Sequence, residues 1–144
     1  YLEIGPNITI KVPCTVEGLK ACKKLSDDGV PVNVTLIFST AQAILAAKAG
    51  ATYVSPFVGR VFDQHWNGIH LIEEISDVFA THQVETKVLA ASIREACQVS
   101  DCFRVGADVC TLPLPIFYKL YKHILTDKGL ELFDADWKSL QEKI

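Results

Sequence analysis

The chain has 144 residues, 49% of them hydrophobic and 22% charged, with a formal net charge of −3, which is typical of one globular domain with a buried core. No apolar run approaches the roughly 18–20 residues that cross a bilayer, and the N-terminus lacks a signal-peptide profile, so we expect no membrane partner and a cytosolic location. Lys and Arg form no stripe, so we expect no nucleic-acid partner, and any anionic partner has to be small.

Short β-branched runs alternate with helical patterns along the chain, which predicts βαβ units and a parallel sheet. The predicted strands are residues 7–12, 32–38, 52–58, 87–91 and 108–112. Predicted helices run from a Thr15 cap through Lys24 with a stop at Asp27-Asp28-Gly29, from a Ser39 or Thr40 cap to Gly50, and over residues 68–82. Residues 115–123 and a segment that starts at Thr126-Asp127 predict further helices, which pack outside the sheet.

Residues 1–144 are predicted to form a single domain, because no linker or composition shift divides them. The domain is expected to be incomplete, since the chain begins at Tyr1 and contains no methionine. Five parallel strands fit either an open doubly wound sheet or part of an eight-unit barrel, and each unit here takes roughly 20–35 residues. The strand pattern alone leaves both architectures open.

Polar residues interrupt strands that otherwise read as buried, and such interruptions need a reason. Period-two alternation places Lys11 on one face of the first strand, Asn33 and Thr35 on one face of the second, and Ser55 on one face of the third. Desolvation would lower the pKa of Lys11 and make its amine nucleophilic, whereas the alternative is an exposed lysine that guards an edge strand. The neighbouring motifs favour the nucleophile.

Four motifs in order closely resemble the transaldolase family, especially its short, single-domain members: IKVPCT (10–15), NVTLIFS (33–39), YVSPFVGR (53–60) and LAASIR (89–94). LTDKG (125–129) and Trp137 also look like that group's C-terminal helices. The resemblance implies an α/β fold, a (β/α)8 TIM-type barrel, of which this chain has only about the last five β/α units plus the C-terminal helices.

The resemblance also implies roles for individual residues. Lys11 is similar to the lysine that forms an imine with a ketose phosphate, and Thr35 to the threonine that holds the catalytic water. Asn33 and Ser55 match positions that hydrogen-bond the sugar hydroxyls. A phosphate clamp is expected from Arg60, Ser92 and Arg94, where a planar guanidinium suits phosphate oxygens. The implied activity is transfer of a dihydroxyacetone unit between sugar phosphates in the pentose phosphate pathway, without a cofactor.

Phe57 and the missing units qualify this expectation. The related fructose-6-phosphate aldolases place a tyrosine where this chain has Phe57, so the resemblance favours a transferase, with an aldolase-like lyase as the alternative. The family's acid/base aspartate lies on units that this chain lacks. We therefore expect the chain alone to be inactive or very weak, and a catalytically dead assembly module is a third possibility.

Several residues also have plainer interpretations. Asn33, Thr35 and Ser55 fit ordinary strand positions satisfied by neighbours, and Arg60 fits a solvated Gly59-Arg60 turn. The histidines show no metal-ligand spacing, so no metal site is expected. Five cysteines without a C-x-x-C pair are expected to be reduced core thiols, and Cys14 lacks an adjacent histidine to activate it. Exposed sheet edges predict a homo-oligomer.

Overall fold

The computed structural model describes residues 4–141, which form five strands and seven helices. The strands are β1 (Ile10–Pro13), β2 (Val32–Ile37), β3 (Tyr53–Pro56), β4 (Lys87–Ala90) and β5 (Val109–Cys110). The helices are α1 (Val16–Asp27), α2 (Thr40–Lys48), α3 (Val58–Asp63), α4 (Gly68–Thr81), α5 (Ala96–Arg104), α6 (Leu114–Leu120) and α7 (Ile124–Gln141).

The strands form one parallel sheet in the order β1-β2-β3-β4-β5. A doubly wound sheet reverses its strand order at a switch point, whereas successive crossovers of one hand in a consecutive order curl a sheet toward a barrel. The described strands contain no such reversal. The order therefore decides between the two architectures in favour of a partial TIM-type barrel, as the resemblance implied.

The two faces of the sheet differ in burial. The outer face carries Val34, Val54 and Val88, which lie in register on neighbouring strands and are almost completely buried. Helices α1, α2 and α4 pack against these strands and complete the core with residues such as Cys22 and Ile72. The inner face carries Lys11, Asn33, Thr35 and Ser55, and part of it is open to solvent.

Helix starts follow the capping chemistry of the sequence. The Thr15 hydroxyl accepts a hydrogen bond from the Gly18 backbone N–H at 3.1 Å, and α1 ends at Asp27, the first residue of the predicted stop. Ser39, rather than Thr40, caps α2 by accepting from the Gln42 N–H at 3.3 Å. Because each cap satisfies an otherwise unpaired N–H, these residues fix where the helices leave the ends of β1 and β2.

Three strand boundaries differ from the prediction by two or more residues. β1 begins at Ile10 rather than at residue 7, because Pro6 and Asn7 form a turn. β3 ends at Pro56, and the residues after Phe57 form α3, which the sequence did not predict. β5 is assigned only to Val109–Cys110, although the Thr111 N–H still donates to the Ala90 carbonyl at 3.0 Å.

Helices α6 and α7 follow the sheet, as predicted, but they are more exposed than the others. Ile116 is the buried residue of α6, and α7 has no buried residue over its 18 positions. Within residues 4–141, no helix has the length and apolar character that crossing a bilayer requires.

Candidate active site

The strand register brings the predicted inner-face residues into neighbouring rows. Lys11 pairs with Asn33, which pairs with Tyr53, and one step toward the carboxyl ends of the strands Thr35 pairs with Ser55. Residues in register on parallel strands project to the same face. The structure therefore confirms that Lys11, Asn33, Thr35 and Ser55 share one face.

Ser55 and Asn33 are joined directly. The Ser55 hydroxyl donates a 2.7 Å hydrogen bond to Asn33 Oδ1, and Ser55 is completely buried. Because the amide oxygen is engaged, the Asn33 NH2 group is left to donate elsewhere on the inner face. This pair provides a fixed donor beside Lys11, which suits recognition of a sugar hydroxyl.

Thr35 has an unusual environment. Its Oγ1 is buried and has no hydrogen-bond partner among the described residues. The strand is irregular immediately afterwards, since Leu36 has a φ of 61° and the register shifts between Thr35 and Ile37. A buried, unpaired hydroxyl costs about 1–3 kcal/mol, and such exceptions in native proteins require an explanation, for example a water that the site holds.

Lys11 does not have the buried environment that was expected. The side chain is exposed, and within residues 4–141 its ammonium group has no hydrogen-bond or ion-pair partner. The physical reason is its position on β1, an edge of the described sheet, so that only β2 flanks it. The expected desolvation was therefore wrong for this part of the barrel.

Arg60 lies on α3 and not in the predicted turn. Its guanidinium carbon is 4.9 Å from the centre of the Phe57 ring, a cation–π distance. The Phe57 ring lies 5.8 Å from the ring of Phe38, which follows β2. The contact with Phe57, the residue that follows β3, places Arg60 at the carboxyl end of that strand.

Ser92 and Arg94 approach the start of α3 closely. The Gly59 N–H donates to the Ser92 carbonyl at 3.1 Å, and Ser92 has a φ of 60°. A Cβ at Gly59 would lie 2.1 Å from that carbonyl oxygen and 2.9 Å from Arg94 Nε, so only glycine permits this approach. A cavity of about 400 Å³ adjoins Ser92 and Arg94. We call Gly59, Arg60, Ser92 and Arg94 the rim cluster.

Cys14, three residues after Lys11, is not activated. Burial raises the pKa of its thiol, and its Sγ lies 4.0 Å from the Gln42 carbonyl oxygen. Burial also raises the pKa of the Cys22 thiol, and none of the five cysteines forms a disulfide within the described residues. Because the thiolate is the nucleophilic form, a raised pKa makes Cys14 a poor nucleophile.

The comparison with protein families decides the family. The profile of the "Transaldolase/Fructose-6-phosphate aldolase" family matches residues 1–144. The chain belongs to this family. Its members are enzymes of the transferase or aldolase type, and the resemblance seen in the sequence is confirmed.

Curated relatives support the same assignment. Proteins named "Probable transaldolase" are 56% identical in Cereibacter sphaeroides, 52% in Paracoccus denitrificans and 52% in Bacillus cereus. The matches cover 98–99% of this chain but 65–66% of the relatives, so the chain spans slightly less than two thirds of their length.

A solved structure shows the shared fold. A crystal structure of a mandelate oxidase variant superposes with a TM-score of 0.51 at 21% sequence identity, covering 65% of this chain and 29% of the other. At that identity the similarity concerns the arrangement of strands and helices alone.

The sequence analysis missed one residue of the candidate site. Asp63, the last residue of α3, receives hydrogen bonds from both terminal nitrogens of Arg94, one of them 2.6 Å long. Asp63 follows Arg60 by three residues, a spacing that places both near one another on a helix. That spacing was visible in the sequence, but it indicates a shared site only once residues 58–63 are known to be helical.

Proposed function

We propose that the protein containing this chain is a transaldolase that transfers a dihydroxyacetone unit from a ketose phosphate to an aldose phosphate in the pentose phosphate pathway. The donor is sedoheptulose 7-phosphate or fructose 6-phosphate. The observation that carries the proposal is the register of Lys11 with Asn33 on one face of a parallel sheet in which Arg60 follows β3 and Arg94 follows β4. An amine on the same sheet as two arginines suits a phosphorylated carbonyl substrate.

The proposed chemistry begins when Lys11 Nζ attacks the ketose carbonyl and water leaves, which forms an imine. A base removes the proton of the C4 hydroxyl, the C3–C4 bond breaks, and the bonding electrons move into the imine as the aldose phosphate departs. The held three-carbon nucleophile then attacks the aldehyde of a second aldose phosphate. Hydrolysis of the new imine restores the amine.

In this proposal each remaining residue binds or orients. Asn33 and Ser55 hold the sugar hydroxyls, and the buried Thr35 hydroxyl holds the water that is lost and regained. Arg60, Ser92 and Arg94 bind the phosphate group, with Arg60 held against Phe57. The charge-assisted bonds that arginine makes to phosphate are among the stronger polar contacts in proteins.

The exposure of Lys11 requires a further part of the proposal. We infer that residues 1–144 are one domain, the C-terminal part of a (β/α)8 barrel, and that the preceding units cover β1 and supply the acid/base aspartate. Closing the barrel would remove water from Lys11, and desolvation favours the neutral amine that attacks a carbonyl. The chain alone should then show little or no turnover.

Borohydride trapping tests the proposal. In the full-length protein with fructose 6-phosphate, reduction should fix a three-carbon or six-carbon adduct on Lys11, located by peptide mass spectrometry. Lys20→Ala, a substitution on the exposed face of α1, is the matched control and should leave labelling intact. Label that persists in Lys11→Ala, or an unlabelled Lys11 in active enzyme, would contradict the assignment.

The aldolase branch is the second candidate because the matched family includes fructose-6-phosphate aldolases, although Phe57 stands where those aldolases carry a tyrosine. Release of free dihydroxyacetone should be slow compared with transfer to an acceptor, and Phe57→Tyr should raise the ratio of release to transfer. If the unsubstituted enzyme already releases the donor faster than it transfers it, the transferase assignment is wrong.

We also propose that the protein is a cytoplasmic homo-oligomer. Five unpaired thiols suit a reducing compartment, and large apolar side chains of α6 and α7 are exposed, among them Phe117, Tyr118, Phe133 and Trp137. Light scattering of the full-length protein should give a mass above that of one subunit. A folded, oligomeric protein without turnover would favour the assembly-module alternative.

A further inference from the structure

Asp63 forms an ion pair with Arg94 of the rim cluster. The carboxylate accepts from both terminal guanidinium nitrogens, with Nη2 2.6 Å from Oδ2. The two side chains come from elements 31 positions apart in sequence, α3 and the segment between β4 and α5. The pair therefore joins helix α3, which follows β3, to the segment that follows the neighbouring strand β4.

Stability alone does not account for this pair. The side chains are 50% and 44% exposed, and ion pairs at such exposure contribute little to folding. Asp63 is also the last residue of α3, where a negative charge interacts unfavourably with the helix dipole. A carboxylate at this position destabilises the helix, so we look for its favourable effect in the interaction with Arg94.

Arg94 also contacts Gln98 and Gly59. Its backbone N–H donates to Gln98 Oε1 at 2.9 Å, and its Nε lies over Gly59, 2.9 Å from where a Cβ would be. The two bonds to Asp63 use one N–H from each terminal nitrogen, which leaves three of the five guanidinium N–H groups available. Beside them lie the Ser92 hydroxyl and the cavity of about 400 Å³.

We propose that Asp63 is a positioning residue that holds Arg94 in the orientation in which its remaining N–H groups bind the substrate phosphate. The inference rests on the proposed phosphate-binding role of Arg94. Without Asp63 the long arginine side chain samples other rotamers, and binding has to immobilise it again. A carboxylate that competed with phosphate for the guanidinium would have the opposite effect on phosphate binding.

Positioning and competition by Asp63 change the Kd for phosphate in opposite directions, so a measurement of phosphate affinity distinguishes them. Calorimetric titration of the chain with inorganic phosphate should give a Kd about 3- to 10-fold higher for Asp63→Asn, because ordering a long side chain costs about that factor. Asp63→Glu should recover part of the affinity. Asp101→Asn, which removes the Arg104 partner on α5, is the matched control and should bind phosphate normally. An unchanged or lower Kd for Asp63→Asn overturns the proposal.

A double-mutant cycle tests whether Asp63 acts through Arg94. The Asp63→Asn effect should vanish in an Arg94→Gln background, since the group it positions is gone. An equal effect in that background would mean a general structural role and would overturn the proposal. If Arg94→Gln alone leaves the Kd unchanged, the phosphate role of Arg94 fails and takes this proposal with it, whereas borohydride labelling of Lys11 tests the imine chemistry separately.

In the full-length enzyme the proposal predicts a split between kinetic constants. Asp63→Asn should raise KM for fructose 6-phosphate about 3- to 10-fold and leave KM for an unphosphorylated donor unchanged, with kcat nearly constant. A parallel loss on both donors would overturn a role in phosphate binding.

Discussion

The two faces of the sheet differ in how much of their environment this chain supplies. On the outer face, Val34 and Val54 are completely buried beneath helices that belong to the chain itself. On the inner face, Lys11 is exposed at an edge strand, and the Thr35 hydroxyl is buried without a partner within residues 4–141.

The difference separates folding from chemistry in this protein. The outer face gains its stability from apolar burial, which the chain completes by itself. The inner face keeps polar groups that contribute little to that burial, and in the proposed function its candidate site needs further groups before it can act. Substitutions on the two faces should therefore affect different measurements.

The largest effect on stability is expected from the core beneath the outer face. Ile72 on α4 is completely buried, and Ile72→Ala should lower the free energy of unfolding by about 2–5 kcal/mol, as for other large-to-small core substitutions. The matched inner-face change, Lys11→Ala, should alter stability by about 0.5 kcal/mol or less, because the side chain is exposed. Urea denaturation checks both, and a large loss in Lys11→Ala would contradict the proposed division.

The next largest effect on stability is expected at Gly59, the residue of the rim cluster that lies closest to the end of β3. Gly59→Ala places a Cβ 2.1 Å from the Ser92 carbonyl oxygen, so backbone has to move, at about 1–3 kcal/mol, and phosphate affinity should fall with it. Gly129→Ala on α7 is the control, because its Cβ meets nothing within 4 Å and alanine favours the helix. Equal stability of the two variants would show that the close approach to Ser92 is unimportant.

Much of the fold could be predicted because it depends on local patterns. Period-two alternation correctly placed Lys11, Asn33 and Ser55 on one face, and capping residues such as Thr15 marked the helix starts. Helix α3 was missed because six residues are too few to show a helical period. The strand order, which distinguished the barrel from an open sheet, depends on long-range pairing that a single sequence does not show.

The candidate site was less predictable, since its details depend on several elements at once. The motifs identified Arg60 and Arg94, but the partner of Arg94 is Asp63, 31 positions away. The positive φ of Leu36 and Ser92 has no local cause in those residue types, which usually avoid it. The exposure of Lys11 follows from its strand being an edge, again a property of the assembled sheet.

A smaller change in stability, with a larger one in activity, is expected at Thr35. Thr35→Val replaces an unpaired buried hydroxyl with a methyl group, so stability should stay equal or rise by up to about 1 kcal/mol. Turnover of the full-length enzyme should fall at least about 10-fold if the hydroxyl orients the reacting water. Thr35→Ser keeps the hydroxyl and should retain most of the activity. Full activity in Thr35→Val would show that the hydroxyl has no such role.

The smallest effect should appear only at alkaline pH and only beneath the outer face. Burial raises the pKa of the Cys22 thiol above its ordinary value of 9.0. Above that pH the unfolded chain releases the thiol proton while the folded chain keeps it, so stability is fully present below pH 9.0 and declines as the pH rises further, by at most about 1.4 kcal/mol per pH unit. In Cys22→Ala the lost packing should lower stability by the same amount at every pH, and the loss of the thiol should in addition make the alkaline decline less steep. Cys97→Ala, at an exposed position, should leave the decline unchanged. Parallel stability curves for the Cys22→Ala and unsubstituted chains between pH 8 and 10 would mean that this thiol is not shielded from water. The core beneath the outer face would then be less tightly packed than its burial indicates.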